Sequence, residues 1–167
     1  MSIRPILIIV FAVITAAFPS EAVAQEGRPA DSALTLVRVF TGWRDGASFK
    51  RIAEYFDGQE HTGNETILRT VPAQRTGYYF LVRVKNAGAA RPVRFQLEFV
   101  EPGSGASRIQ TFPAELAAGS QVFQLGLTGP QWQDPKVQPM AWHLRVLGAA
   151  DEILAVEKSY LWKKPAK

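Results

Sequence analysis

The clearest pattern in the chain is an alternation of apolar and polar residues in its middle. Phe80, Val82 and Val84 alternate with Leu81, Arg83 and Lys85, and Val93, Phe95, Leu97 and Phe99 alternate with Arg94, Gln96 and Glu98. Successive side chains of a strand point to opposite faces, so this period of two predicts two strands, each with one face in a core. The other face meets water, which antiparallel sheets tolerate. The intervening 86–91 contains Asn86-Ala87-Gly88, a plausible turn, and the pair reads as a hairpin.

Shorter strand signals flank this pair. Residues 34–40 (LTLVRVF) are rich in β-branched and apolar types and stop at Thr41-Gly42. The run 66–71 stops at Pro72, and 108–112 stops at Pro113. Phe123, Leu125 and Leu127 share one face of 121–127, which ends at Thr128-Gly129-Pro130. Trp142, Leu144 and Val146 alternate with His143 and Arg145, and Gly148-Ala149-Ala150-Asp151 turns the chain into a last strand over 153–162.

One stretch departs from the period of two. Phe49, Ile52, Ala53 and Phe56 fall at i, i+3, i+4 and i+7 behind Ser48, a good helix cap, and Asp57-Gly58 closes the run. This predicts a short helix over 48–56 lying on the sheet. A strand there would put Lys50, Ile52, Glu54 and Phe56 on one face, a poor alternation.

About eight short strands broken by Gly and Pro turns predict a mainly all-β fold, an antiparallel β-sandwich. The architecture resembles immunoglobulin and fibronectin-type sandwiches. The resemblance is one of architecture only, because the chain has no cysteine to supply the bridge of antibody domains.

The N-terminus changes the picture from fold to destination. Arg4 precedes an uncharged apolar run over 6–17, and Ala22-Val23-Ala24 places small residues where a signal peptidase reads. The run is shorter than the roughly 20 apolar residues that span a bilayer, so a cleaved signal over 1–24 is expected rather than an anchor. The expected organisation is then a flexible lead-in over 25–33, one sandwich domain over 34–163, and a basic tail over 164–167.

The absence of cysteine means that burial alone holds the domain together, which suits a bacterial periplasmic or secreted protein better than a small disulfide-braced eukaryotic one. It also removes thiol catalysis, zinc–cysteine sites and a lipid anchor on cysteine. The net charge of +4 is modest and spread along the chain, with a small cluster at Lys163, Lys164 and Lys167. No basic stripe accompanies a recognition module, so nucleic acid is not an expected partner.

Candidate chemistry is sparse. The chain has two histidines, His61 and His143, and no Gly-x-Ser-x-Gly turn presents a nucleophile. His143 alternates with core residues and reads as a surface side chain. In EYFDGQEHTGNE (54–65), the carboxylates of Asp57, Glu60 and Glu65 could offer hard oxygen ligands to Ca²⁺, the one cofactor considered, although the spacing is not an EF-hand. Two carboxylates across a cleft would instead suggest a glycosidase.

Trp142 and Trp162 read as sheet packing. Trp43 reads as cover for a core edge or, with Tyr55, as a ligand contact. Trp132 lies in a Pro-rich loop (128–139), where an indole either stacks on a ligand or folds back onto the core. Asn64-Glu65-Thr66 fits a glycosylation acceptor, relevant only in a eukaryotic source.

These features predict an exported, non-catalytic binding or structural module of the bacterial cell envelope, holding a protein or glycan through the loops 41–65 and 128–140. One alternative is a strand-pairing subunit that uses the end of its last strand, Tyr160-Leu161-Trp162, with Lys158 and the lysines 163 and 164 as edge protection. The other is a small secreted carbohydrate-active hydrolase.

Overall fold

The computed structural model describes residues 33–103 and 105–162. The expected signal peptide and the basic tail lie outside the described residues. Eight strands follow in order: β1 (Leu34–Arg44), β2 (Glu65–Arg69), β3 (Gly77–Asn86), β4 (Arg91–Val100), β5 (Ser107–Leu116), β6 (Gly119–Thr128), β7 (Ala141–Leu147) and β8 (Ile153–Lys158). They form two four-stranded sheets, ordered β1-β3-β6-β2 and β5-β4-β7-β8. Every pairing is antiparallel except β2 with β6, which is parallel.

The alternation seen in the sequence fills one core from opposite sides. Phe80, Val82 and Val84 of β3 and Phe123, Leu125 and Leu127 of β6 meet Val93, Phe95, Leu97 and Phe99 of β4 and Leu144 and Val146 of β7. Phe95 packs on Phe123 across the sandwich with ring centroids 4.8 Å apart.

The expected hairpin of β3 with β4 does not form. The chain crosses from one sheet to the other between them, and each strand pairs elsewhere: β3 with β1 and β6, β4 with β5 and β7. Alternation specifies which face is buried; it does not specify which strand lies alongside. The crossing is fixed by the buried Asn86 side chain, which donates to Ala89 O (3.0 Å) and Ala117 O (3.1 Å) and accepts from the Gly88 N–H (3.0 Å).

With β3, β4, β6 and β7 as the B, C, E and F strands, the two sheets read A-B-E and C′-C-F-G, the connectivity of immunoglobulin-type sandwiches. β2 is the departure. It takes the position beside E that strand D would hold, arrives before B in sequence, and runs parallel to its neighbour.

Several boundaries move. β1 continues through Thr41-Gly42 to Arg44, and β5 continues through Pro113 to Leu116. Pro113 is tolerated because β5 is an edge strand with no ladder on its far side. The last strand stops at Lys158 rather than at 162; beyond it Trp162 N–H donates to Ser159 O in a turn. His143 is half-buried, with its ring 5.5 Å from that of Trp162, rather than a plain surface residue.

In the region expected to form the short helix, a 3₁₀ turn spans Gly46–Phe49 and a single helical turn spans Glu54–Asp57, closed by Gly58 in the left-handed conformation (φ 70°). Lys50 between them is extended (φ −68°, ψ 128°). That break rotates the apolar stripe apart, so Phe49 is buried while Ile52 and Phe56 face solvent. Among the described residues no helix is long and apolar enough to cross a membrane.

Candidate binding face on the outer side of the first sheet

β1 and β2 run in the same direction with β3 and β6 between them, so the connection 45–64 must cross the outer face of their sheet. That face carries Arg38, Phe40, Gly42 and Arg44 from β1, and Tyr79, Leu81, Arg83 and Lys85 from β3. Val122, Gln124 and Gly126 come from β6 and Glu65, Ile67 and Arg69 from β2. Tyr79 is flanked in register by Gly42 and Gly126, and Gly126 leaves the space that its ring occupies. The crossover sets Phe49 on that ring, with centroids 4.7 Å apart.

Two guanidinium groups enclose Phe49. Arg44 Cζ stands 4.2 Å from the ring centroid and Arg69 Cζ 5.1 Å. Arg69 donates bidentately to Glu60 (2.8 and 2.5 Å) and through Nε to the Tyr79 hydroxyl (2.9 Å), which itself donates to Arg75 O (2.6 Å). Arg44 donates to Gln124 Oε1 (2.5 Å), and Gln124 donates to Glu65. Arg75 pairs with Glu54 (2.6 Å), and Arg51 reaches Thr62 O (3.2 Å). Bidentate arginine–carboxylate pairs fix orientation as well as distance. The crossover is therefore held at Glu54, Glu60 and Thr62.

The electrostatics follow from this packing. The Arg69 hydrogen bond, working against partial burial, holds the Glu60 carboxyl below its ordinary value. Burial pushes the Tyr79 phenol up, opposed by its hydrogen bond from Arg69. For Arg69, burial disfavours the charge, and the hydrogen bonds to Glu60 and Tyr79 outweigh it, raising its pKa. The Gln59 N–H, then His61, lower the pKa of Asp57, which lies at the surface with His61 Nε2 2.6 Å from Oδ2.

The residues singled out in the sequence separate into three groups. Trp132 is 2% exposed and belongs to the core, with its ring 5.7 Å from Phe99 and 6.4 Å from Tyr78. It is not available as a stacking platform, because a 3₁₀ turn at Pro130–Trp132 folds the loop back onto the sandwich. Trp43 packs against the core edge and donates from Nε1 to Trp132 O (3.0 Å), so its indole is also engaged within the fold. Tyr55 faces solvent beneath Lys50, whose Nζ lies 6.0 Å from the ring centroid.

The three candidate metal ligands are not brought together. Asp57 pairs with His61, Glu60 with Arg69, and Glu65 with Gln124; among the described residues no three His, Asp or Glu side chains are grouped to hold a metal ion. Phe49, Arg69, Tyr79 and Gln124, which organise the face, were not among the sequence candidates.

A second feature lies at the opposite edge of this sheet. β2 and β5 are edge strands of different sheets, and a cleft of about 540 Å³ opens between them, lined by Leu68, Val93, Pro113, Ala114 and Glu115 among others. Two smaller clefts continue along the same seam, one bordered by Ile67, Phe112 and Pro113, the other by Glu101, Gln110 and Trp132. None of the three is lined by more than one carboxylate.

The chain matches no protein-family model, and no curated protein matches it. Among solved structures it is similar to an immunoglobulin-like protein from Pseudomonas aeruginosa, with 16% identity, coverage of 77% of this chain and 96% of that one, and a TM-score of 0.31.

Proposed function

We propose that the protein is an exported, non-catalytic binding module of the bacterial cell envelope, and that it meets its partner with the crossover on the β1-β3-β6-β2 sheet. One observation carries this reading. Ile52, Tyr55 and Phe56 are 80%, 75% and 87% exposed on a segment whose neighbouring positions are tied down by ion pairs and hydrogen bonds. Three large apolar side chains kept in water forgo the stabilisation that burial would give, of the order of 1.5–3 kcal/mol each. A chain held in one conformation also loses less entropy when a partner covers it.

Export is supported by the apolar run 6–17 and Ala22-Val23-Ala24. The non-catalytic reading is supported by the clefts, none of which offers the two facing acids that glycoside hydrolysis requires. His61 and Asp57 pair at the surface, away from those clefts' linings.

The test is affinity capture from envelope extract with the immobilised chain from Gln25 onward, which contains all eight strands. A component retained by this chain and lost with Tyr55→Ser/Phe56→Ser supports the reading. Equal recovery by both would overturn it.

The seam between β2 and β5 favours a second reading, the strand-pairing subunit. Both edges have a free ladder on the same side, next to an apolar cleft, so an added strand could hydrogen-bond to one edge and place alternate side chains inside. A cross-link from a cysteine placed at Gln110 to a partner strand would support it; solvent-like exchange, in the assembled state, of the β5 amides that do not pair with β4 would exclude it.

A further inference from the structure

We infer that the partner of this face is a bilayer surface bearing anionic lipid headgroups, an inference that rests on the crossover face being the binding face. Charge points to it first. Arg38, Arg83 and Lys85 are exposed on the outer side of the β1-β3-β6-β2 sheet, beyond the part the crossover covers, and none is in an ion pair with a described residue. The other sheet treats its cations differently. There Arg94 pairs with Asp151, Arg145 with Glu98 and Arg108 with Glu101. The uncompensated positive charge is therefore concentrated on one side of the sandwich.

The crossover adds to the asymmetry. Its Lys50 and Arg51 are exposed, while Glu54 and Glu60 are neutralised by Arg75 and Arg69. Its other two carboxylates are Asp45 and Asp57, the latter hydrogen-bonded to His61.

Shape and polarity narrow the choice of anionic partner. Beside the cations on the sheet lie Phe40, Leu81 and Val122, with Arg38 Cζ 5.1 Å from the Phe40 ring centroid. On the crossover that lies over this face, Ile52, Tyr55 and Phe56 are exposed, the last two on its single helical turn. An apolar projection surrounded by cations fits an interface that is anionic at its surface and apolar a few ångströms below. The projecting side chains enter the headgroup–acyl boundary while Lys50, Arg51, Arg38, Arg83 and Lys85 meet phosphates. Tyr55 has the amphipathic ring that favours this depth. Nucleic acid or an acidic polysaccharide would satisfy the cations but would leave Ile52 and Phe56 in water.

The experiment is vesicle co-sedimentation of the chain from Gln25 onward, with folding of every variant verified by thermal melting. Vesicles of phosphatidylcholine alone are compared with vesicles in which phosphatidylglycerol is mixed. The chain is expected to bind the mixed vesicles, with affinity falling as salt is raised. Tyr55→Ser/Phe56→Ser is expected to weaken that binding by at least about tenfold. Arg38→Glu/Arg83→Glu/Lys85→Glu is expected to weaken it by at least about a hundredfold. In Phe56→Trp, a fluorescence shift to shorter wavelength on adding mixed vesicles, measured against the unshifted emission with phosphatidylcholine, reports entry of the tip.

Absence of binding to mixed vesicles overturns the inference. So does binding that neither multiple variant weakens, or a Phe56→Trp emission that does not move. If vesicles fail while an envelope protein is still captured in a Tyr55- and Phe56-dependent way, the binding face stands and its partner is protein rather than lipid. If capture also fails, the binding-face reading falls with it.

Discussion

Tyr79 of β3 and Gly126 of β6 are directly paired, and a Cβ placed on Gly126 would stand 2.5 Å from Tyr79 Cε1. The ring occupies the space that a side chain at 126 would need, and from there its hydroxyl links Arg69 to Arg75 O. Gly126→Ala is expected to push the ring off the sheet, break both hydrogen bonds and destabilise the domain by about 1–3 kcal/mol in urea unfolding. Tyr79→Phe keeps the ring and loses only the hydroxyl, at about 1 kcal/mol. A Gly126→Ala protein as stable as the parent would show that the ring moves aside without cost.

Trp132 gives a stability prediction opposite to that expected of a loop tryptophan serving a ligand. Its burial among Phe99 and Tyr78 means that Trp132→Ala should cost about 3–5 kcal/mol, enough to unfold a marginal domain. Loss of the near-ultraviolet circular dichroism signal would mark that outcome. A variant that melts with the parent would place the indole outside the core.

Tyr55→Ser and Phe56→Ser should behave in the reverse way. Both side chains are largely exposed, so each change is expected to stay within about 0.5 kcal/mol of the parent by thermal or urea unfolding. A larger loss would mean that they support the crossover rather than serve a partner.

Acid should loosen the clamp on the crossover. The folded Glu60 carboxyl titrates below its ordinary 4.5, so near that pH the folded protein binds fewer protons than the unfolded chain. Its contribution is fully present above 4.5 and is lost as pH falls through the lower folded value. Glu60→Gln removes that contribution, so the difference in melting temperature between parent and variant should narrow below about pH 4. A constant difference down to acid pH would mean that the charge on Glu60 does not matter. Tyr79 has the opposite sign: its raised pKa gives stability present below 10.0 and lost as the pH climbs through its folded value.

Calcium is expected to leave the melting temperature unchanged, since Asp57, Glu60 and Glu65 are each engaged with a different partner. A ligand bound only by the folded state would raise it in a concentration-dependent way. A rise on titrating calcium would show that these carboxylates can exchange their present partners for the metal.

What was legible in the sequence was the burial of alternate residues. Phe80, Val82, Val84, Val93, Phe95, Leu97 and Phe99 face inward as their period of two dictated, because burial is a property of each strand by itself. Strand neighbours were not legible in the same way. The short link between β3 and β4 suited a hairpin equally well, and only pairing with β1, β6, β5 and β7, distant in sequence, settles the crossing.

The binding face was harder still. Its organising residue, Tyr79, lies in a strand already recognised, but Gly126 acquires meaning only once register puts it beside that ring. Gly126 inside an otherwise regular strand was the available signal, since a glycine there marks a close approach. The stripe Phe49, Ile52 and Phe56 misled because a single extended residue, Lys50, divides it between core and solvent.

The path of the chain over the outer sheet face also orders events in time. β2 pairs with β6 at a separation of more than fifty residues, Glu65 with Val122, and contributes only five residues to the ladder. Closing so long a loop for so few hydrogen bonds is entropically late, and the segment before it has nothing to lie on until β3 and β6 are side by side. The surface with the exposed aromatic tip is therefore assembled in the final stage of folding. The ion pairs at Glu54 and Glu60 then close over a sheet that has already formed.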